Sequence, residues 1–379
     1  MKIESIEAIL VDLPTMRTHH LAFASVNVQN YVIVKITAGG LVGIGEAATI
    51  GGPAWAEEST EGIKSMIDVY LAPRLLGQDA NDINRLSALM DVAVRGNRFA
   101  KAALEMALYD LVARSRNLPV HALLGGQVRD AIPVAWTLAA GDTGRDIAEA
   151  EEMLARRRHH IFKLKIGAKA PDADFSHVAA ICKAVADRAS IRVDVNQAWD
   201  EQTASKWIPR LEEAGVDLIE QPVARWNVAA MARLAAASRA AIMADEGVGT
   251  LHEAFDHARH AAADVFALKL TKAGGIANTR KVAAIAEASG IGVYGGCMLE
   301  TAVGTAAYAQ VYASVPSMDY GCEIFGPLLL KDTITCEQIE IREFQVWIPP
   351  GIGCGVTLDE DKLAYYRRDR ALQFAVAIG

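Results

Sequence analysis

The sequence predicts an α/β protein in two parts, an N-terminal α+β unit followed by a β/α barrel. Three observations carry this expectation. Short β-branched and apolar runs alternate with helix-like segments along the later part of the chain, at steps of roughly 25 to 30 residues, about one strand-plus-helix unit. Several of those runs end in an acid or a lysine. The earlier part instead places strands first and helices after them. With 379 residues, 52% of them hydrophobic, the chain can bury a sizeable core and divide into more than one domain.

In order, Ile3 to Leu13 and Tyr31 to Thr37 alternate as strands do, and Leu41 to Ala47 continues them into an antiparallel sheet. Between the first two lies a polar stretch, Pro14 to Asn30, predicted to be a loop. Its Arg17, His19 and His20 are either solvated loop residues or part of a flap over an anionic ligand. A second loop, TIGGPAW from Thr49 to Trp55, has the glycines and proline of a tight turn. From Ser59 the pattern turns helical: Ala100, Ala103, Leu104, Ala107, Leu108 and Leu111 share one helix face, ending near Pro119. The first boundary falls at Gly125-Gly126, giving units 1–126, 127–335 and 336–379.

The middle unit carries the alternation. Runs starting at Ile132, Ile161, Ile191, Val216, Ala241, Val265, Ile291 and Met318 read as strands, with helix-like segments such as Ile147 to Arg158 between them. About eight strands with intervening helices fit a β/α barrel. A doubly wound open sheet is the rival, but no GxGxxG follows the first strand. The tail from Ile339 returns to strand-like alternation and is expected to pack back on the first unit.

A net charge of -8 without a Lys/Arg block argues against a nucleic-acid partner. No apolar run of about 18 residues marks a membrane span, and no signal core opens the chain, so the expectation is a soluble cytoplasmic protein. Cys182, Cys297, Cys322, Cys336 and Cys354 are scattered and read as reduced thiols, with Cys297 and Cys322 near strand ends.

Active sites of β/α barrels lie at the C-terminal strand ends. Those ends carry Lys163 and Lys165 in FKLKIG, then Asp194, Glu220, Asp245, Lys269 and Glu323. Lys163 and Lys165, two apart, point to one side of a strand. Asp194, Glu220 and Asp245 come from adjacent strands and would converge; without a cation they would repel, and three hard oxygens suit Mn2+ or Mg2+. The second and sixth strands of an eight-membered ring face each other, so Lys165 and Lys269 would flank the α-carbon of a carboxylate held there. Neighbouring positive charge and burial are expected to lower a lysine's pKa, with Lys163 and a nearby metal ion acting in this way on Lys165, and Glu246 is expected to pair with Lys269. Thr137, Asn196 and Gln221 are candidates for supporting polar roles. Lys272 reads as a helix entry.

KLKIG, VDVNQAWDE, LIEQP, IMADE, ALKLTKAGG and YGGCMLE, with IGGPAW and VAWTLAAGDT upstream, resemble the enolase superfamily, and within it the muconate-lactonizing branch, the muconate and chloromuconate cycloisomerases. The resemblance spans essentially the whole chain. It implies a modified TIM barrel, (β/α)7β, under an α+β capping domain built from the N-terminal part and the C-terminal tail. It implies Asp194, Glu220 and Asp245 as ligands of Mn2+ or Mg2+, Lys165 as the lysine handling the α-proton, and Lys269 on the opposite face. His20, Ile50 and Phe325 would touch the substrate. The implied reaction is cycloisomerisation of cis,cis-muconate, a small dicarboxylate, to muconolactone in aromatic catabolism, on the catechol branch of the β-ketoadipate pathway, by a homo-octamer. Two other readings stay open: a racemase or epimerase of N-acylamino acids or dipeptides, needing both lysines as an acid-base pair, and a non-catalytic barrel with a binding role.

Overall fold

The computed structural model describes residues 1–20 and 25–369. The chain opens with a three-stranded antiparallel sheet, β1 (Ile3–His20), β2 (Ser25–Ala38) and β3 (Leu41–Thr49), in that order. β1 and β2 pair from Ile3↔Ala38 to Pro14↔Val28 and, after a register shift, again at His19↔Val26. Most of the stretch predicted as a polar loop is therefore hairpin. Its polarity hid the alternation: Leu13, Thr15 and His19 are buried, while Met16 and His20 are exposed. The helix Arg98–Ser115 crosses this sheet closely, because a Cβ on Gly43 would sit 2.2 Å from the Ala107 carbonyl oxygen and one on Gly45 2.1 Å from that of Ala103.

Eight further strands follow: β4 (Ala131–Pro133), β5 (Trp136–Leu138), β6 (Ile161–Lys165), β7 (Ser190–Asp194), β8 (Val216–Glu220), β9 (Ala241–Ala244), β10 (Val265–Leu268) and β11 (Gly292–Gly295). β5 to β11 form one parallel sheet in sequence order. Its register sets Lys165 beside Asp194, Asp194 beside Glu220 and Glu220 beside Met243, so the charged ends stand at one level. Two expectations change here. The run from Ile132 is split, and β4 pairs with the tail strand β13 (Gln345–Trp347), itself paired with β12 (Ile341–Arg342). The run from Met318 forms no strand. Gly321 takes a φ of 70°, and Cys322 alone bridges Val134 on one side and Gly295 on the other, closing the ring.

Among the described residues no helix is long and apolar enough to cross a membrane. All five cysteines are free, with Cys336 exposed and the others buried. The tail touches the first unit at several points: Asp110 accepts from the backbone N–H groups of Ile44 and Cys354, and Lys35 pairs with Glu360 at 2.7 Å.

The first sheet meets the barrel over two buried acids. Glu46 on β3 accepts from Thr301 N at 2.9 Å, Thr301 Oγ1 at 2.5 Å and Gly304 N at 3.0 Å, all at the entry of the helix Ala302–Ser314. Glu300 accepts from Met298 N at 2.8 Å, and its buried Oε2 is without a hydrogen-bond partner. Burial, then the charge of Glu46, pushes Glu300 up to about 8; burial pushes Glu46 up to about 7 against its three donors. The other titratable groups around them, Tyr31, Tyr308, Tyr312 and Cys297, are pushed up by burial and stay neutral.

An acid raised by folding contributes stability that is fully present below its unfolded value, near 4.3. That contribution is lost as pH rises through the folded values, here about 7 and 8. Glu300→Gln is therefore expected to flatten the decline in stability between pH 5 and 8, leaving the variant roughly 1–3 kcal/mol more stable than the parent at pH 8. Denaturant melts at both pH values check this; an unchanged pH slope contradicts it.

Candidate active site

The strand ends bring the expected charges together. Lys163, fully buried, donates to Glu220 Oε2 at 2.9 Å, pairs with Glu323 and lies 4.0 Å from Asp194. Lys165 pairs with Asp194. Lys269 donates to Asp245 Oδ2 at 2.5 Å. Lys272, read from sequence as a helix entry, also belongs to this cluster: it donates to Asp245 Oδ1 at 2.7 Å and to the carbonyls of Asp245 and Ala267 at 2.6 and 2.8 Å. Its place one helical turn beyond Lys269 was the signal available.

The lysines around Lys165 divide: burial lowers Lys272, while two others are raised. Burial alone would lower Lys163, but Glu220 and then Glu323 hold it well above its ordinary value. Lys269 is raised in the same way, by Asp245 against burial. Asp245 is held far below the carboxylate range because Lys269 and Lys272 outweigh its burial. Glu220 is pushed up by burial and by Asp194. Glu246 does not pair with Lys269; it accepts from Asn196 Nδ2 at 3.2 Å, and burial with the charge of Asp245 raises it to about 7. Asp245 had already taken the lysine.

Backbone detail supports these positions. Gln221, at φ 36°, accepts with Oε1 from the N–H groups of Asp245 and Gly247, both at 3.0 Å, tying the end of β8 to that of β9. A Cβ at Gly247 would lie 2.8 Å from His257 Nε2, so a side chain there would have to displace the His257 ring. Asn196 and Gln197, just past Asp194, also take positive φ, local strain of the kind that gathers at functional sites.

Among the described residues no three acidic, histidine or cysteine side chains are grouped as a metal cage, and Glu220, Asp194 and Asp245 each pair with a lysine. The donor set nevertheless fits a hard cation. Glu220 Oε1, Glu246 Oε2 and Asn196 Oδ1 are buried oxygens without a partner. Five acids (Asp194, Glu220, Asp245, Glu246, Glu323) meet four lysines here, and a divalent ion would relieve the crowding of like charge.

Above the cluster is a small cavity of about 20 Å³. Of the residues expected at the site, Ile50, Thr137, Lys165, Asn196, Asp245, Lys269, Glu323 and Phe325 line it, while Lys163, Asp194, Glu220 and Glu246 stand behind its wall. His20 does not reach it. Strand parity turns that ring outward, where Nδ1 lies 3.0 Å from Ser25 Oγ. His19 lines the cavity instead, 1% exposed, with Nδ1 unpartnered. Burial, then Arg17 and Lys165, lowers it to about 3, so it is neutral at pH 7. Cys297, expected near a strand end, lines the cavity as well, whereas sequence reasoning did not single out Leu299 or Trp55, whose ring centroid is 4.4 Å from Lys269 Nζ.

A parallel barrel with carboxylates on successive strand ends, lysines across from one another and a roof from a separate antiparallel sheet defines an enolase-type barrel protein. Residues 145–362 match the family model "Enolase C-terminal domain-like", and residues 5–125 match "Mandelate racemase / muconate lactonizing enzyme, N-terminal domain". The chain belongs to the mandelate racemase / muconate lactonizing enzyme family. It is 56% identical over 368 residues to a chloromuconate cycloisomerase of Cupriavidus necator, covering 97% of this chain and 100% of the relative. It is 49% identical over 369 residues to muconate cycloisomerase 1 of Pseudomonas putida, covering 97% and 98%. The structure of a muconate lactonizing enzyme from Pseudomonas fluorescens complexed with muconolactone is 51% identical, with a TM-score of 0.96 over 97% of this chain and 99% of that one.

Proposed function

We propose that the chain is a divalent-cation-dependent cycloisomerase that closes cis,cis-muconate, and chlorinated muconates, to the lactone. The observation that carries this reading is the cavity itself, flanked by Lys165 and Lys269 and bordered by the strand-end carboxylates. The named activities of the relatives support it.

Asp194, Glu220 and Asp245 would hold Mn2+ or Mg2+, which supplies Lewis-acid charge to a substrate carboxylate while its α-carbon gains electron density. Around that, the chain's own residues act as follows. An oxygen of the distal carboxylate forms the new C–O bond, and the electron pair of the double bond shifts toward the α-carbon of the other carboxylate. Lys165 Nζ delivers a proton to that carbon, with Lys269 facing it. Glu323 holds Lys163 charged at the floor of the site. Ile50, Trp55 and Phe325 cover the cavity and keep water from the intermediate. Because a dication and a dicarboxylate enter as a neutral pair, binding both leaves the charge balance of the buried cluster unchanged.

The test is a spectroscopic assay with cis,cis-muconate and Mn2+ or Mg2+, with a chlorinated muconate and an N-acylamino acid in parallel. Consumption of a muconate is expected, stopped by a chelator and restored by the cation. Racemisation of the acylamino acid with both muconates untouched overturns the reading.

A further inference from the structure

Arg17, on the hairpin that roofs the cavity, touches neither cavity nor charged cluster, yet it is fastened to the barrel. Its Nε and Nη2 donate to Glu149 Oε1 at 3.3 and 3.1 Å, and Nη2 also donates to the Thr137 carbonyl at 3.1 Å. The same Glu149 oxygen accepts from Trp136 Nε1 at 3.0 Å. The Trp136 ring in turn packs 4.9 Å from the ring of Phe325, which lines the cavity. One carboxylate oxygen thus joins the end of β1, the strand β5 and the aromatic wall. His19, two residues beyond Arg17, faces the cavity.

Within the hairpin, the end of β1 is tied to β2 by Thr15 Oγ1, which donates to the Asn27 carbonyl at 2.9 Å, and by Thr18 Oγ1, which donates to Asn27 Oδ1 at 2.6 Å. Pairing with β2 lapses between Pro14 and His19, and the backbone contacts beside it, Thr15 with Leu330 and Lys331 N to Pro14 O at 3.0 Å, secure only the base of that segment. A cavity of about 20 Å³ is far below the roughly 300 Å³ of ordinary ligand pockets, so a six-carbon diacid enters only where a wall yields. The inner barrel strands are hydrogen-bonded on both sides. The hairpin end is held to the barrel through the Arg17 side chain, which reaches Glu149 and the Thr137 carbonyl.

We infer that Arg17 is a positioning residue that, through Glu149 and Trp136, sets His19 and Phe325 against the substrate and thereby sets its affinity and the substituents it can carry. This rests on the cavity being the substrate site proposed above. Removing the clasp weakens holding of the substrate more than it alters the reacting groups.

The test compares the parent, Arg17→Gln, Arg17→Lys, Glu149→Gln and the Arg17→Gln/Glu149→Gln double variant, each loaded with Mn2+. For Arg17→Gln we expect KM for cis,cis-muconate to rise about 10-fold with kcat within about 2-fold, and the preference between chlorinated and unsubstituted substrate to shift at least about 3-fold. Arg17→Lys should recover part of the change, and the double variant should be no worse than Arg17→Gln alone. Amide hydrogen exchange over Met16 to His20 should accelerate about 10-fold in Arg17→Gln, a readout independent of turnover. Unchanged KM, preference and exchange, or fully additive effects in the double variant, overturn the inference. A parent protein that consumes no muconate sinks the functional reading alone, and the exchange result then still decides the clasp.

Discussion

Lys165→Ala is expected to slow turnover of cis,cis-muconate by about 10²- to 10⁴-fold, the range for losing a positioned proton donor. Among the four lysines of the cluster Lys165 is the least buried, its side chain 15% exposed against 0% for Lys163 and 4% for Lys269 and Lys272. It lines the cavity, whereas Lys163 is sealed beneath by Glu220 and Glu323. The fold should survive the change. Asp194 keeps the N–H and Nδ2 donors of Asn196, at 2.9 and 3.2 Å, so no carboxylate is left bare. The loss should appear in kcat with KM little altered, since an interaction made at the transition state is being removed. Lys269→Ala is the control for the opposite face. In deuterated water the parent should place deuterium on one face of the α-carbon. If Lys165→Ala keeps more than about a tenth of the parent rate while Lys269→Ala is inactive, Lys269 is the donor and the assignment to Lys165 fails.

How much of this site could be read from the sequence follows from how each side chain is aimed. Lys163, Lys165, Asp194, Glu220, Asp245 and Lys269 sit on or just past parallel strands, where period-two geometry and a shared register leave little freedom. Their convergence was legible because the barrel repeats one unit and each unit ends at the same level. The closing strand was not, since the run from Met318 is interrupted by Gly321 and a single residue, Cys322, makes both bridges. His19 and His20 were confused because parity cannot be counted through the register shift after Pro14. The partners of Lys269, Lys272 and Glu246 depend on which of two neighbouring acids, Asp245 or Glu246, turns toward the lysines, and that is settled by packing rather than by spacing. The clasp at Arg17 spans 132 residues to Glu149 and leaves no local trace.

Asp245→Ala should carry the largest combined cost to stability and activity. Its carboxylate takes both Lys269 at 2.5 Å and Lys272 at 2.7 Å, and all three groups are buried. Deleting it leaves two desolvated ammonium groups competing for Glu246 and Glu323, neither of which forms an ion pair with them in the parent. Breaking a buried pair from one side destabilises by roughly 3–5 kcal/mol. Asp245→Asn separates this from chemistry. The amide keeps the size and one acceptor oxygen, so Lys272 can still donate to it, and the stability loss should be smaller. Both variants lose the charge expected to bind the cation, and activity should fall below detection in each. The cation supplies a second measurement. A divalent ion present at about 100 times its Kd stabilises a protein that binds it only when folded by about 2.7 kcal/mol. The parent should show that gain with Mn2+, and Asp245→Asn should show little of it. Should Asp245→Asn retain the parent's full Mn2+ stabilisation, Asp245 is not a ligand, and the cation must be held by Asp194 and Glu220 with help from the unpartnered oxygens of Asn196 and Glu246.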